Sequence, residues 1–188
     1  MVGLRGIPVA SPEDAWCLMA PIASLDELVI VGDALLTGKR MPGGREAALG
    51  SRVTLQDAIA RHAGTPGAKK RQLAMKLIRS PVDSPQETRT RLLLLRSGFP
   101  EPTVNCPVPV ATRVLHADLG YEAEKVAIEY EGRYHFVGGD RQAARDVERW
   151  EQMTHAGWRV LRVTRNHLHA PEAFFERLST ALSAKTEA

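Results

Sequence analysis

The chain has 188 residues, 44% of them hydrophobic and 25% charged, a globular composition that excludes an intrinsically disordered protein. No apolar run approaches the roughly 18 residues a membrane span needs, and no signal-peptide pattern opens the chain, so no membrane partner is expected. Cys17 and Cys106 are too few for a disulfide framework or a cysteine-based zinc site, which points to a reduced cytoplasmic protein; the net charge of +3 says little about partners.

The charge is unevenly placed. Residues 61–79 hold six basic residues (Arg61, Lys69, Lys70, Arg71, Lys76 and Arg79) and no acid. Residues 118–131 hold five acids (Asp118, Glu122, Glu124, Glu129 and Glu131) against Lys125 alone. A basic segment beside an acidic cluster suits a protein that attracts a polyanion and sets a metal ion against it; two solvated faces would look the same.

Residues 1–80 carry the signals of short helices. The run Val2 to Pro8 looks like the middle of a domain more than its start. Ser11-Pro12 offers a cap with proline at the first helical position. Ser24 and Glu27 form a capping box ahead of Leu28, Val29, Val31, Leu35 and Leu36, with Gly38 as the stop. Residues 39–52 read as a loop. Thr54 caps a helix ending near Gly64, and Gly67 opens another that runs through Arg79.

Pro81 and Pro85 mark a boundary, so the chain divides into a helical region, 1–80, and a second domain, 81–188. Ser84 and Glu87 form another capping box before a leucine-rich helix ended by Gly98. Alternation then predicts strands over 103–110, 114–121 and 125–130, the first pushed to a sheet edge by Pro107 and Pro109. A helix over 140–156, a strand over 158–163 and a helix over 171–182 complete an α/β domain.

On the third of these strands Ala127, Glu129 and Glu131 share a face. A two-residue connection puts Asp118 diagonal to Glu129; a four-residue connection, Glu122 to Lys125, puts it directly opposite. Both registers place Asp118, Glu129 and Glu131 on one face, with Cβ separations of roughly 4.5–8 Å. Crowded carboxylates repel unless a cation neutralises them, and oxygen-only donors suit Mg²⁺ or Mn²⁺. Arg145 and Arg149 share a helix face with Asp146 and Glu148 nearby, which reads as salt-bridged surface or as a phosphate contact. Arg162 on the last strand and Lys69-Lys70 offer further backbone contacts to nucleic acid. Trp150 and Trp158 read as core. His116 is either a secondary ligand or structural.

An acid, ten intervening residues, then Glu-x-acid resembles the hairpin of PD-(D/E)XK nucleases. The fuller run is similar to the Vsr-like (very-short-patch-repair endonuclease-like) branch, as found in many actinobacterial proteins. It comprises Ser84-Pro85-x-Glu87-Thr88-Arg89, Gly98-x-Pro100, Ala117-Asp118-Leu119, Ala127-x-Glu129-Tyr130-x-Gly132-Arg133-x-His135 and Gly157-Trp158-Arg159-Val160-x-Arg162-Val163. It covers about residues 81–180. Residues 1–80 more loosely resemble the segment that precedes this domain in such proteins, related to abortive-infection-type antitoxins. Those relatives usually begin with a winged-helix module; none is legible here, so the chain reads as truncated or as starting late.

The resemblance implies a restriction-endonuclease-like fold, a mixed sheet flanked by helices, preceded by the small helical region. It makes Asp118 and Glu129 metal ligands, with Glu131 in the place of the usual lysine, where it would help bind metal or position water. It makes His135 the proton-transfer group. Glu87 has two readings, a capping residue or a carboxylate directed from the first helix to the metal. The expectation is a Mg²⁺- or Mn²⁺-dependent DNA endonuclease, with RNA as another substrate. The alternative is a non-catalytic, antitoxin-like regulator that binds nucleic acid or a partner protein through the nuclease fold, or that pairs as a homodimer.

Overall fold

Serine hydroxyls decide where the early helices begin. In the computed structural model, Ser11 Oγ accepts the Asp14 N–H at 3.1 Å and starts α1 (Pro12–Met19). The Ser24–Glu27 box starts α2 (Leu25–Thr37), which ends at Gly38 with φ of 71°. The structure describes residues 2–4, 7–41, 43–131 and 135–184, of which 2–4, 8 and 135–144 are described by their backbone alone. It is an α/β protein with eight helices and a four-stranded mixed sheet among these residues, and none of the helices is long and apolar enough to cross a membrane. The chain divides into two compact units, Met1–Arg89 and Thr90–Ala188.

In the first unit, β1 (Val2–Leu4) and β2 (Ile7–Val9) pair antiparallel ahead of α1. Within the expected loop, β3 (Arg40–Met41) and β4 (Gly44–Arg45) form a minimal ladder. Next come α3 (Arg52–Arg61), α4 (Ala68–Leu77) and α5 (Pro85–Arg96), the last of which carries the chain into the second unit. The cap of α3 is Ser51, three residues before the expected Thr54, because Thr54 Oγ1 reaches back 2.8 Å to the Ser51 N–H and completes the box as its N3 residue.

Fully buried Leu28, Leu55 and Ile78 hold these helices together, each contributing about 2 kcal/mol by removal from water. Gly32 permits the closest approach: a Cβ there would lie 2.2 Å from Ile78 Cδ1. Several buried polar groups find partners inside. Trp16 Nε1 donates to the Leu28 carbonyl at 2.8 Å, and the two oxygens of Asp33 accept from the Arg79 N–H and the Thr88 hydroxyl, each at 2.8 Å.

The second unit is built on β5 (Thr103–Val110), β6 (Arg113–Tyr121), β7 (Val126–Tyr130) and β8 (Arg159–Val163), in that spatial order. The first two pairings are antiparallel; β8 joins β7 in parallel after the crossover helix α6 (His135–His155). The short α7 (Arg165–His169) and then α8 (Glu172–Ser183) close the fold. Proline-bearing β5 is an edge strand, as its missing N–H groups require.

One sheet face packs Leu119, Tyr121, Val126, Ile128 and Val163 against Leu94 of α5 and Phe174 and Leu178 of α8. The other packs Cys106, Val108, Leu115, Ala117 and Ala127 against Met153 of α6 and Trp158. Within β5 and β6 the faces change hands. Val104 and Leu119 belong to the first layer, Cys106 and Ala117 to the second, so each strand shifts its odd–even phase between them. The change falls between the pairs Val104–Leu119 and Cys106–Ala117, at Asn105 and Asp118, and Asn105 takes a left-handed φ of 47°.

The first unit generates a pH prediction. Asp14 accepts from Arg61 Nη2 at 2.9 Å and from Ser11 Oγ at 2.9 Å, with His62 Nε2 at 3.1 Å. The Arg61 hydrogen bond, outweighing desolvation, lowers its pKa to about 2. A depressed carboxylate pKa stabilises the fold above the unfolded value and loses that contribution as pH falls through the folded one. Since Arg61 is half exposed, the contribution is about 1 kcal/mol. Asp14→Asn should therefore lower Tm at pH 7, and the gap from the native chain should close by pH 2. A gap that does not vary with pH in thermal melts would assign its effect to something other than this carboxylate.

Candidate functional site

Turn length sets the site. Tyr121 ends β6 and Val126 begins β7, so the connection is the four residues Glu122 to Lys125, closed by Lys125 N–H to Glu122 carbonyl at 3.2 Å. Lys125 takes a left-handed φ of 50°. The pairs Tyr121–Val126, Gly120–Ala127 and Leu119–Ile128 follow. Glu129, two residues from Ala127 on β7, shares its α6 side of the sheet. Gly120 lets Cys106 pack against β6: a Cβ there would sit 2.6 Å from Cys106 Sγ. Burial pushes the Cys106 thiol up to about 12, so it is an unreactive core group.

The β6–β7 ladder stops at Leu119–Ile128, and side chains take over its backbone groups. Asp118 Oδ2 accepts the Tyr130 N–H at 2.8 Å. Glu129, only 5% exposed, receives Arg149 Nη1 of α6 on Oε2 at 2.8 Å. The other terminal nitrogen of Arg149 donates to the carbonyl of His116, whose partner across β5 is Pro107, a residue with no N–H to offer. Glu131 donates its N–H to the Val163 carbonyl at 2.7 Å and pairs loosely with Arg162, Oε2 to Nη1 at 3.5 Å. Arg162 stands beside Glu129 in the parallel ladder, and its guanidinium lies 5.0 Å from the centre of the Trp150 ring. Glu129 and Glu131 thus each meet a guanidinium, and Asp118 meets a backbone N–H.

Among the described residues no group of three or more His, Cys, Asp and Glu side chains converges as a metal site. Asp118 and Glu129 nonetheless suit a hard cation by donor chemistry. Both are oxygen donors from adjacent strands, and Mg²⁺ is commonly held by one or two carboxylates, completed by water and substrate phosphate. His116 is exposed, and Arg145 is exposed on α6. His135 is the first residue of α6, but its side chain lies outside the described residues, as do Gly132, Arg133 and Tyr134. Glu87 belongs to the first unit, where its N–H reaches Ser84 Oγ at 3.2 Å and its Oε2 accepts the Asp83 N–H at 2.9 Å. Lys69 is exposed on α4, and Lys70 Nζ is used internally, donating to the Ala23 carbonyl at 2.6 Å.

The pairing of Arg149 is what the sequence pattern misses. Its helical neighbours Asp146 and Glu148 suggest a surface bridge, yet its partners are twenty and thirty-three residues away. Fully buried Met153, four positions on, carries the overlooked signal, because it places Arg149 on the stripe of α6 that faces the sheet.

This arrangement predicts unequal costs. Arg149→Ala leaves the Glu129 charge buried and should cost about 3 kcal/mol; Glu129→Gln frees a guanidinium that can turn to water and should cost about 1 kcal/mol. In urea denaturation the double variant should fall short of additivity by about 1–2 kcal/mol. Equal single costs that simply add would mean that the pair is not desolvated.

No protein-family model matches the chain, and neither does any curated protein or solved structure.

Proposed function

We propose that the second unit is a restriction-endonuclease-like domain of the Vsr type and that the chain hydrolyses DNA phosphodiester bonds with a divalent metal. The observation that carries this reading is the bond from the Tyr130 N–H to Asp118 Oδ2 at 2.8 Å, which brings a carboxylate of β6 to the neighbour of Glu129 on β7 across a four-residue turn. Supporting it is the order helix, three antiparallel strands, crossover helix, parallel strand, which is the arrangement the motif resemblance implies.

In this reading Asp118 and Glu129 hold the metal. When bound, Mg²⁺ or Mn²⁺ supplies Lewis acidity at the phosphoryl oxygen and a bound water of lowered pKa. The chain's own work is binding and orientation. Asp118 is fixed by the Tyr130 N–H, so its carboxylate does not depend on a mobile rotamer. Arg162, half exposed beside the acids, and exposed Arg145 offer charge to the phosphate backbone. Glu131 stands where a lysine is usual and is steered by Arg162 instead.

A second reading, a regulator that binds nucleic acid or a partner protein without cutting, draws on one specific observation: Glu129 and Glu131 already carry arginines. Cleavage assays on duplex DNA and on RNA with Mg²⁺ or Mn²⁺ separate the two. The first reading expects metal-dependent cleavage that Asp118→Ala reduces by more than about 100-fold while gel-shift binding persists. Binding without cleavage of either polymer would favour the regulator, and full activity in Asp118→Ala would remove the mechanism. RNA cut in preference to DNA would reassign the substrate.

A further inference from the structure

We propose that the chain pairs with a second copy of itself along β8, the two β8 strands running antiparallel about a two-fold axis at Leu161 to make one continuous sheet. This pairing uses none of the hairpin carboxylates and stands apart from the metal-dependent reading.

The two edges of the sheet differ. Pro107 and Pro109 lie in β5, whereas β8 has no proline and ends the sheet among the described residues. Two bonds fix which way its backbone faces: the Arg159 N–H donates to the Lys125 carbonyl at 2.8 Å, and the Val163 carbonyl accepts the Glu131 N–H at 2.7 Å. Residues 159, 161 and 163 therefore turn their backbone groups to β7, and 158, 160, 162 and 164 turn theirs outward. At both ends the outward N–H is taken internally, that of Trp158 by the Met153 carbonyl at 3.0 Å and that of Thr164 by His167 Nδ1 at 3.0 Å. Val160 and Arg162 stay open. Their N–H groups meet no acceptor among the described residues, and the nearest donor to the Arg162 carbonyl is Arg177 Nη2 at 3.5 Å.

That opening is symmetric about Leu161, and an antiparallel copy of the same strand matches it in full. With Leu161 opposite Leu161, Val160 of each copy stands opposite Arg162 of the other, and the two exchange both N–H···O bonds on each side of the axis. Centring on Val160 would bring up Trp158, whose N–H is already used, and centring on Arg162 would oppose two guanidinium groups. Charge beside the strand favours the same partner. An open groove of about 750 Å³ follows this edge, walled by Glu176, Arg177, Thr180 and Ala184 of α8. α8 runs antiparallel to β8, since Arg177 reaches the Arg162 carbonyl and Arg159 Nη2 reaches the Ala184 carbonyl at 3.2 Å. The two-fold axis therefore brings the Glu176 end of one groove to the Arg159 end of the other. Exposed Glu176 gains Arg159 of the second copy, a guanidinium that in its own chain donates to the carbonyls of Glu124 and Ala184, and Arg177 faces the carbonyl end of the second α8. An acidic or a basic peptide would suit one of these ends and oppose the other.

Sedimentation velocity of the full chain, over micromolar to millimolar concentrations, should show a monomer–dimer equilibrium. Val160→Pro removes an outward donor from each copy and no bond between β7 and β8, so Kd should rise at least about tenfold. Glu176→Lys, at an exposed helix position, gives a second measurement should the proline variant fail to fold. It sets lysine against Arg159 of the second copy and should raise Kd at least about fivefold. Arg159→Glu should weaken pairing too, by setting two glutamates together. Mixing Glu176→Lys with Arg159→Glu should bring back a dimer that neither variant forms alone at the same concentration, because each copy then offers the other an opposite charge.

A native chain that stays monomeric up to millimolar concentration would overturn the pairing. A dimer that either Val160→Pro or Glu176→Lys, once folded, leaves at native strength would place the interface elsewhere and overturn it too. Weakening in both charge variants with no recovery on mixing would remove the two-fold register at Leu161, and the proposal with it.

Discussion

A carboxylate drawn into a β-sheet needs a cation, and the second unit is arranged around the answer to that need. Glu129 lies on β7, a central strand, with Ala127 two residues before it and wholly buried. Arg149 reaches it from α6, and the same side chain takes the His116 carbonyl of β6. This double attachment ties the crossover helix to two strands at once. The azimuth of α6 follows from it: with Arg149 turned to the sheet, Met153 one turn later meets Cys106, Ala117 and Ala127, and the helix leads by way of Gly157 into β8. The parallel pairing of β7 with β8 then sets Arg162 beside Glu129.

The acids are available to this arrangement because the sheet is not regular where they sit. Val104 and Leu119 face one layer and Cys106 and Ala117 the other, so Asn105 and Asp118 occupy the point where both strands turn over. Asn105 absorbs the turn with a positive φ, which its short polar side chain tolerates better than a branched residue would. Asp118 absorbs it by bonding the Tyr130 N–H through its carboxylate. A regular strand would place Asp118 in an unbroken ladder; here its side chain stands in for a missing rung. Irregularity in the backbone and polarity in the side chains thus occur together, as they often do where binding groups are displayed.

Local chemistry was legible in the sequence, and long-range chemistry mostly was not. Prolines 107 and 109 announce an edge strand, and alternation over 103–110 and 125–130 announces strands, because each signal acts within a few residues. The hairpin register was left open between two- and four-residue turns, and the structure takes the four-residue one. What decides it is Lys125 entering the left-handed region, a conformation with no strong sequence mark at lysine. The helix expected from residue 140 begins at His135, five residues earlier, across the Gly138-Gly139 pair, whose low helix propensity hides the start. The β1–β2 and β3–β4 ladders and the five-residue α7 were missed because each is too short to establish a period. Among the site residues the acids were legible as a spacing, whereas the link from Arg149 to Glu129 needs the sheet to exist first.

Two arginines, one in each unit, meet their acceptors in different ways. Arg71 in the first unit is 1% exposed and meets no carboxylate among its contacts, donating to the carbonyls of Cys17, His62, Thr65 and Pro66 and to the Thr65 hydroxyl. Those acceptors belong to the ends of α1 and α3 and to the turn before α4, so they are fixed by backbone and converge on a planar fork. A spherical, tightly hydrated dication matches neither that spread nor its partial charges, and Arg71 is a permanent part of the helical core. Arg149 instead divides its donors between one carbonyl and one full negative charge, with a second carboxylate on the neighbouring strand. Its side chain is also partly exposed, whereas backbone acceptors enclose that of Arg71. The acceptor set, more than burial, separates an arginine that holds a fold from one that holds a place.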